Sequence, residues 1–180
     1  MNTSTNIFTF PLRTLSVCGT YFAQVKKIMP VFLLVFCIFA LQAQPLKAAE
    51  PFTEANLAEI QKAVEKHKGE LVLLNIFASW CPPCVQEART FAEFYKKYPP
   101  QKGVHLIGIS LDDDKNELKK FISERNVKYP VYLAGQDFVD FYEVQTIPTL
   151  ILFDKEGNVA EYAIGIASLN ELTKFIDKYN

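Results

Sequence analysis

The sequence predicts an α/β domain, a central mixed sheet with helices on both of its faces. Three observations carry that reading. Leu71–Phe77 is a near-continuous apolar run of strand length, the mark of a strand covered on both sides. The apolar spacing then switches repeatedly between such runs and the three-and-four spacing of helices. Finally, with 49% hydrophobic and 22% charged residues, a 180-residue chain suits one globular domain plus an extension, which excludes a disordered chain and a multi-span membrane protein.

The extension is residues 1–49. It holds Arg13, Lys26, Lys27 and Lys47 and no acidic residue. Ile28 to Leu41 is a 14-residue uncharged run between Lys26-Lys27 and the small residues of Ala43 to Ala49. A basic region, a short apolar run and small residues are the parts of a secretory signal. A spanning helix needs about 20 apolar residues, so a cleaved signal is the first reading and an uncleaved N-terminal membrane anchor the second. Either one exports the domain, residues 50–180, to a compartment where disulfides persist, with the bacterial periplasm the expected location.

Within the domain, Leu57, Ile60 and Val64 mark a helix from about Glu54 to His67, stopped by Gly69. The strand Leu71–Phe77 runs into Ala78-Ser79-Trp80-Cys81-Pro82-Pro83-Cys84, where two prolines suit the first turn of a helix. That helix continues through Phe91, Phe94 and Tyr95 to Tyr98-Pro99-Pro100; Phe91 and Tyr95 read as core. Gly103 opens a second buried strand to Ile109, and the acidic run Asp112-Asp113-Asp114 reads as a solvated turn before a helix with Leu118, Phe121 and Ile122 on its inner face. Tyr129–Leu133 is extended, because the residue before a proline avoids the helical region, and a short helix is expected from about Asp137 to Tyr142. Thr149–Phe153 and Val159–Ile164 form a hairpin around Asp154–Asn158. Ser168-Leu169-Asn170-Glu171 is a capping box that starts a last helix, with Leu169, Leu172, Phe175, Ile176 and Tyr179 as its buried stripe.

Chemistry concentrates at Cys81-Pro82-Pro83-Cys84. A Cys-x-x-Cys at a helix start places the first sulfur at the positive end of the helix dipole, beside free backbone N–H groups, and the second within bonding distance. Cys81 is therefore expected to be the exposed thiolate nucleophile and Cys84 the shielded thiol that resolves the mixed disulfide. A purely structural disulfide would close a tiny loop and add little stability. A zinc site on the cysteine pair would need His67 and His105, one at a helix end and one inside an apolar strand. Covalent haem attachment needs His after the second cysteine, where Val85 stands. No metal or other cofactor is expected.

The run Asn75-Ile76-Phe77-Ala78-Ser79-Trp80-Cys81-Pro82-Pro83-Cys84, with Glu87 after it, resembles thioredoxin-like proteins, specifically the exported TlpA/ResA-type thiol–disulfide oxidoreductases. Gly103-Val104, Tyr129-Pro130-Val131, Ile147-Pro148-Thr149 and Phe153-Asp154-Lys155-Glu156-Gly157 follow in that family's order, so the likeness spans nearly all of residues 52–180. It implies a thioredoxin fold with an N-terminal helix and a central insertion. It also implies that Pro148 is cis beside the cysteines, with the Ile147 backbone receiving an extended substrate. Trp80, Pro82, Pro83, Ile147, Pro148 and the Gly165-Ile166-Ala167 loop would form an apolar substrate rim. Asn75 stands where thioredoxins proper have a buried Asp, and an amide cannot take the Cys84 proton. Glu87 reads either as the family's position on the active-site helix or as a solvated or ion-paired surface group.

The expected activity is reduction of disulfides in other proteins, with apocytochrome c maturation the substrate class that the resemblance implies and a membrane thiol-relay donor recharging a monomer. Pro83 adds no positive charge beside the sulfurs, which favours a reducing pair. A disulfide oxidase or isomerase, and a redox sensor without turnover, are the alternatives. Nucleic acid is excluded as a partner: of 19 basic and 20 acidic residues the extension takes four basic ones, leaving residues 50–180 at −5. With that balance and an uncharged motif, recognition is apolar and backbone-mediated. The rate of reaction with a protein disulfide should therefore hold nearly constant as ionic strength rises; a steep fall in stopped-flow measurements would show charge steering instead.

Overall fold

The computed structural model describes residues 49–165 and 168–179. The strands are β1 (Thr53–Ala55), β2 (Leu71–Phe77), β3 (Val104–Ser110), β4 (Val131–Ala134), β5 (Thr149–Phe153) and β6 (Val159–Ile164). They form one mixed sheet in the order β1-β4-β3-β2-β5-β6. β1 to β4, β4 to β3 and β3 to β2 pair parallel, and β2 to β5 and β5 to β6 antiparallel. The central β2 is buried at all seven positions. Successive side chains on a strand point to opposite faces, so Leu71, Leu73 and Phe77 enter one core and Val72, Leu74 and Ile76 the other.

Each core is closed by helices whose apolar stripes face it. α1 (Leu57–Glu65) brings Ile60 and Val64, and α4 (Gln136–Phe141) brings Phe138, to the side of Val72 and Leu74. On the other side lie Phe91 and Phe94 of α2 (Pro82–Lys97), Leu118 and Phe121 of α3 (Lys115–Glu124), and Leu172 and Ile176 of α5 (Leu169–Asp177). Tyr95, Leu169, Phe175 and Tyr179 pack against this second core half-buried. The expected capping box of α5 is formed: Ser168 Oγ accepts from the Glu171 N–H, and the Glu171 carboxylate accepts from the Ser168 N–H.

The start of the domain differs from expectation. Glu54 and Ala55, assigned to the first helix by spacing, belong with Thr53 to strand β1, in register with Tyr132–Ala134 of β4. Asn56 ends it and begins α1 through a capping box with Glu59. A three-residue strand carries no period of its own and exists because β4 offers it an edge. At the opposite edge, β6 pairs with β5 through an irregular register at Leu152/Phe153 and exposes Val159, Tyr162 and Ile164. Residues 1–48, with the expected export segment, lie outside the described residues. Among the described residues no helix is long and apolar enough to cross a membrane.

Gly108 in β3 is tightly enclosed. A Cβ there would lie 3.0 Å from the Tyr129 ring, 3.1 Å from Phe77 and 3.2 Å from Val131. Gly108→Ala should cost about 1–3 kcal/mol through overpacking, read as a lower urea midpoint with an unchanged slope; a midpoint equal to wild type would mean that these rings yield freely.

Candidate active site

β2 ends at Phe77, and the chain turns so that Cys81 becomes the N-cap of α2, with Pro82 and Pro83 at positions where a helix needs no N–H. The Cys84 N–H points back at Cys81 Sγ, 3.3 Å away, so the backbone offers the sulfur a donor. No acid occupies the first turn of α2, which leaves the positive end of the helix dipole to the sulfurs. Cys81 and Cys84 are joined as a disulfide with their Cα atoms 5.3 Å apart. Both residues are 3% exposed, so in the disulfide state Cys81 is not the more open of the two. The bond to Cys84 and the loop before β5, whose Ile147 carbonyl oxygen lies 3.8 Å from Cys81 Sγ, close it in.

That loop carries the Ile147–Pro148 peptide in the cis form. Pro148 is buried and Ile147 half-buried. The loop is tied at both ends: Thr149 Oγ1 donates to the Thr146 carbonyl at 2.7 Å, and the Gly165 N–H donates to the Pro148 carbonyl at 3.0 Å. Trp80 is 65% exposed, Pro82 exposed and Pro83 half-buried, an apolar margin on the cysteine side. Ile166 and Ala167, assigned to the same rim, lie outside the described residues.

Two groups of buried polar residues surround this arrangement. Asp112, expected in a solvated turn, is 5% exposed. Its carboxylate accepts from the Ser79 N–H at 3.0 Å, the Ser79 hydroxyl at 2.5 Å and the Ser110 hydroxyl at 2.7 Å. It thus pins the turn that delivers Trp80 and Cys81. Asp113 is solvated as expected, and Asp114 caps α3. The pairing of β2 with β3 explains the difference, because parallel neighbours end side by side and the residues just past Ser110 meet those just past Phe77.

Glu87 is 1% exposed, so the solvated reading of it is wrong. It sits on the inner stripe of α2 with Cys84, Ala88, Phe91 and Phe94, a spacing that the sequence displays. Nearby, the buried Tyr129 is hydrogen-bonded to Asn75, and its hydroxyl is held far above the usual range by burial, with a further push from the Glu87 charge. Glu87, Tyr129 and Asn75 thus form a buried carboxylate–phenol–amide group. His67 and His105 take no part: their rings stack on each other at the start of β2, whereas the cysteines follow its end. A zinc site that joins the cysteine pair to these two histidines is thereby ruled out.

A disulfide at a helix N-terminus, faced by a cis-proline loop at the end of a doubly buried strand, defines a thiol–disulfide exchange centre on a thioredoxin-type fold. The family model described as thioredoxin-like matches residues 69–159. The thiol–disulfide oxidoreductase ResA of Bacillus thuringiensis (strain Al Hakam) is 33% identical over 133 residues, 73% of this chain and 76% of the relative. Among solved structures, StoA of Bacillus subtilis superposes with a TM-score of 0.55 at 27% identity, covering 60% of this chain and 83% of that one. A thiol:disulfide interchange protein of Chlorobium tepidum, at 24% identity and a TM-score of 0.59 over 64% of this chain and 83% of its own, agrees in fold. The chain belongs to the thioredoxin-like family, as a thiol–disulfide oxidoreductase of the ResA and StoA type.

Asp112→Ala should leave the Ser79 N–H unpaired, costing about 1–3 kcal/mol of stability, and should slow insulin reduction by loosening the Cys81 turn. Asp112→Asn keeps an acceptor and should recover most of the rate. Wild-type turnover in the alanine variant would show that the turn holds itself.

Proposed function

We propose that residues 50–180 form an exported reductant of protein disulfides, with residues 1–49 as its signal peptide or N-terminal anchor. The observation that supports this most is the disulfide poised between the start of α2 and the Ile147–Pro148 loop. In the reduced enzyme the Cys81 thiolate attacks one sulfur of a substrate disulfide, forming a mixed disulfide and releasing the other substrate sulfur as a thiolate that takes up a proton. The Cys84 thiol loses its proton and attacks Cys81 Sγ. The second substrate thiolate then leaves, the substrate has gained two electrons and two protons, and Cys81–Cys84 is oxidised.

In this reading Glu87, buried one helical turn beyond Cys84, takes the Cys84 proton, a role that Asn75 cannot fill. Trp80, Pro82, Pro83, Ile147 and Pro148 receive the substrate segment. A membrane thiol-relay donor returns the two electrons, and the disulfide of an apocytochrome c is the substrate class that fits the resemblance to ResA. The bacterial periplasm, or the outer face of a membrane, is the compartment in this reading.

The reduction potential decides the direction. Equilibration with glutathione should place it below about −200 mV, on the thioredoxin side of the scale, and a value near about −120 mV would make the protein an oxidant. In the same preparation, Cys84→Ser should accumulate mixed disulfides through Cys81. Accumulation in Cys81→Ser instead would exchange the two roles.

A further inference from the structure

The two histidines of the chain meet at the end of the sheet opposite to the cysteines. His67 follows α1, Glu70 precedes β2, and His105 lies in β3, where it is in register with Val72. The imidazole rings stack with centroids 3.7 Å apart, and Glu70 Oε2 is paired with His105 Nε2. One ligand atom from each of His67, Glu70 and His105 lies within 4.8 Å of the others. Nothing in thiol–disulfide exchange uses this cluster, since the length of β2, about 3.3 Å per residue, separates it from the disulfide.

We propose that His67, Glu70 and His105 form a binding site for one divalent transition-metal ion of the zinc type. Two imidazoles and one carboxylate are a borderline-soft set that suits zinc, copper or nickel and not magnesium or calcium. The backbone preorganises it. The Glu70 N–H donates to the His67 carbonyl at 3.0 Å, which folds these two residues into one turn. The Gly69 N–H donates to the Lys155 carbonyl at 2.8 Å and the Leu71 N–H to the Gly103 carbonyl at 3.0 Å, which anchors that turn to the β5–β6 hairpin and to the start of β3. Gly69, at φ 96°, makes the turn possible. His105 is held by its strand with only 12% of its side chain exposed, whereas the Glu70 side chain is 45% exposed, so an ion would enter from the Glu70 side. The rings must unstack slightly to aim both nitrogens at one point, a motion open to half-buried His67. Water would complete the coordination, and the exposed Lys66 is the one opposing cation lining the adjoining cavity.

The test uses the full chain without a histidine tag, with Cys81–Cys84 oxidised and Cys18 and Cys37 alkylated, so that no thiol competes. Titration with zinc chloride in a calorimeter should show one ion per chain, and zinc should raise the melting temperature by mass action. His67→Ala and His105→Gln should each weaken binding at least tenfold, and Glu70→Gln by less. Because His105→Gln alters a strand residue, the exposed-side variant His67→Ala carries the decision if it melts like wild type without metal. Only two histidines exist in the chain, so their proton resonances report the site directly and should shift on adding zinc. Absence of one-to-one binding, or binding that survives His67→Ala with unmoved imidazole signals, would overturn the proposal and leave the cluster as a pairing that closes the sheet end. Insulin reduction should be the same with and without His67, which separates failure here from failure of the redox reading.

Discussion

The whole arrangement hangs on β2 being apolar on both faces. A strand of that kind is stable only when layers cover it from either side, so α1 and α4 must lie on one face and α2, α3 and α5 on the other. The same burial leaves its last residue pointing the chain out of the sheet in one direction. Ala78 to Cys81 then turn directly into α2, and the cysteine pair inherits its place from the strand before it. Removing water from both sides of β2 is thus also what sets the sulfurs at a helix start with a backbone donor aimed at them.

Catalytic chemistry needs that end of the sheet to be firm at the backbone and adaptable in its side chains. Asp112 supplies the firmness from β3, the Pro148 carbonyl supplies it from β5 by accepting from Gly165, and the exposed indole of Trp80 is left free. The buried polar group of Glu87, Tyr129 and Asn75 is of a different kind. Glu87, Tyr129 and Asn75 come from α2, from the segment before β4 and from β2, so they meet only after the sheet has been assembled. A carboxylate is costly to bury there, and groups of this kind cluster at functional sites more often than in plain packing.

Much of this was legible in the residues. Leu71–Phe77 declared itself by its unbroken apolar run, α5 by its capping box, and the redox site by Cys81 and Cys84 in front of a helical stripe. What could not be read was whatever depends on pairing between distant strands. The three residues of β1 have no pattern apart from β4. Asp112 looks like its neighbours Asp113 and Asp114 until β3 is laid beside β2, and His67 and His105 are 38 positions apart in the chain yet stack once the strands are in register. Glu87 is an intermediate case: its spacing from Cys84 and Phe91 puts it on the inner face, but a carboxylate at that spacing also suits a helix surface, and only the packed sheet decides between the two.

The irregular outer strand β6 bears on solubility. It is the free margin of a sheet, with backbone groups open to pairing by a foreign strand, and it shows Val159, Tyr162 and Ile164 to solvent. Natural sheets guard such margins with charge and with breaks in register, and β6 has both. Its pairing with β5 slips at Leu152/Phe153, and Glu161 in its middle holds a carboxylate that hydrogen bonds from Lys178 and Tyr179 keep below the ordinary range. The guard therefore stays charged further into acid than an ordinary glutamate would, and the exposed edge stays blunted there.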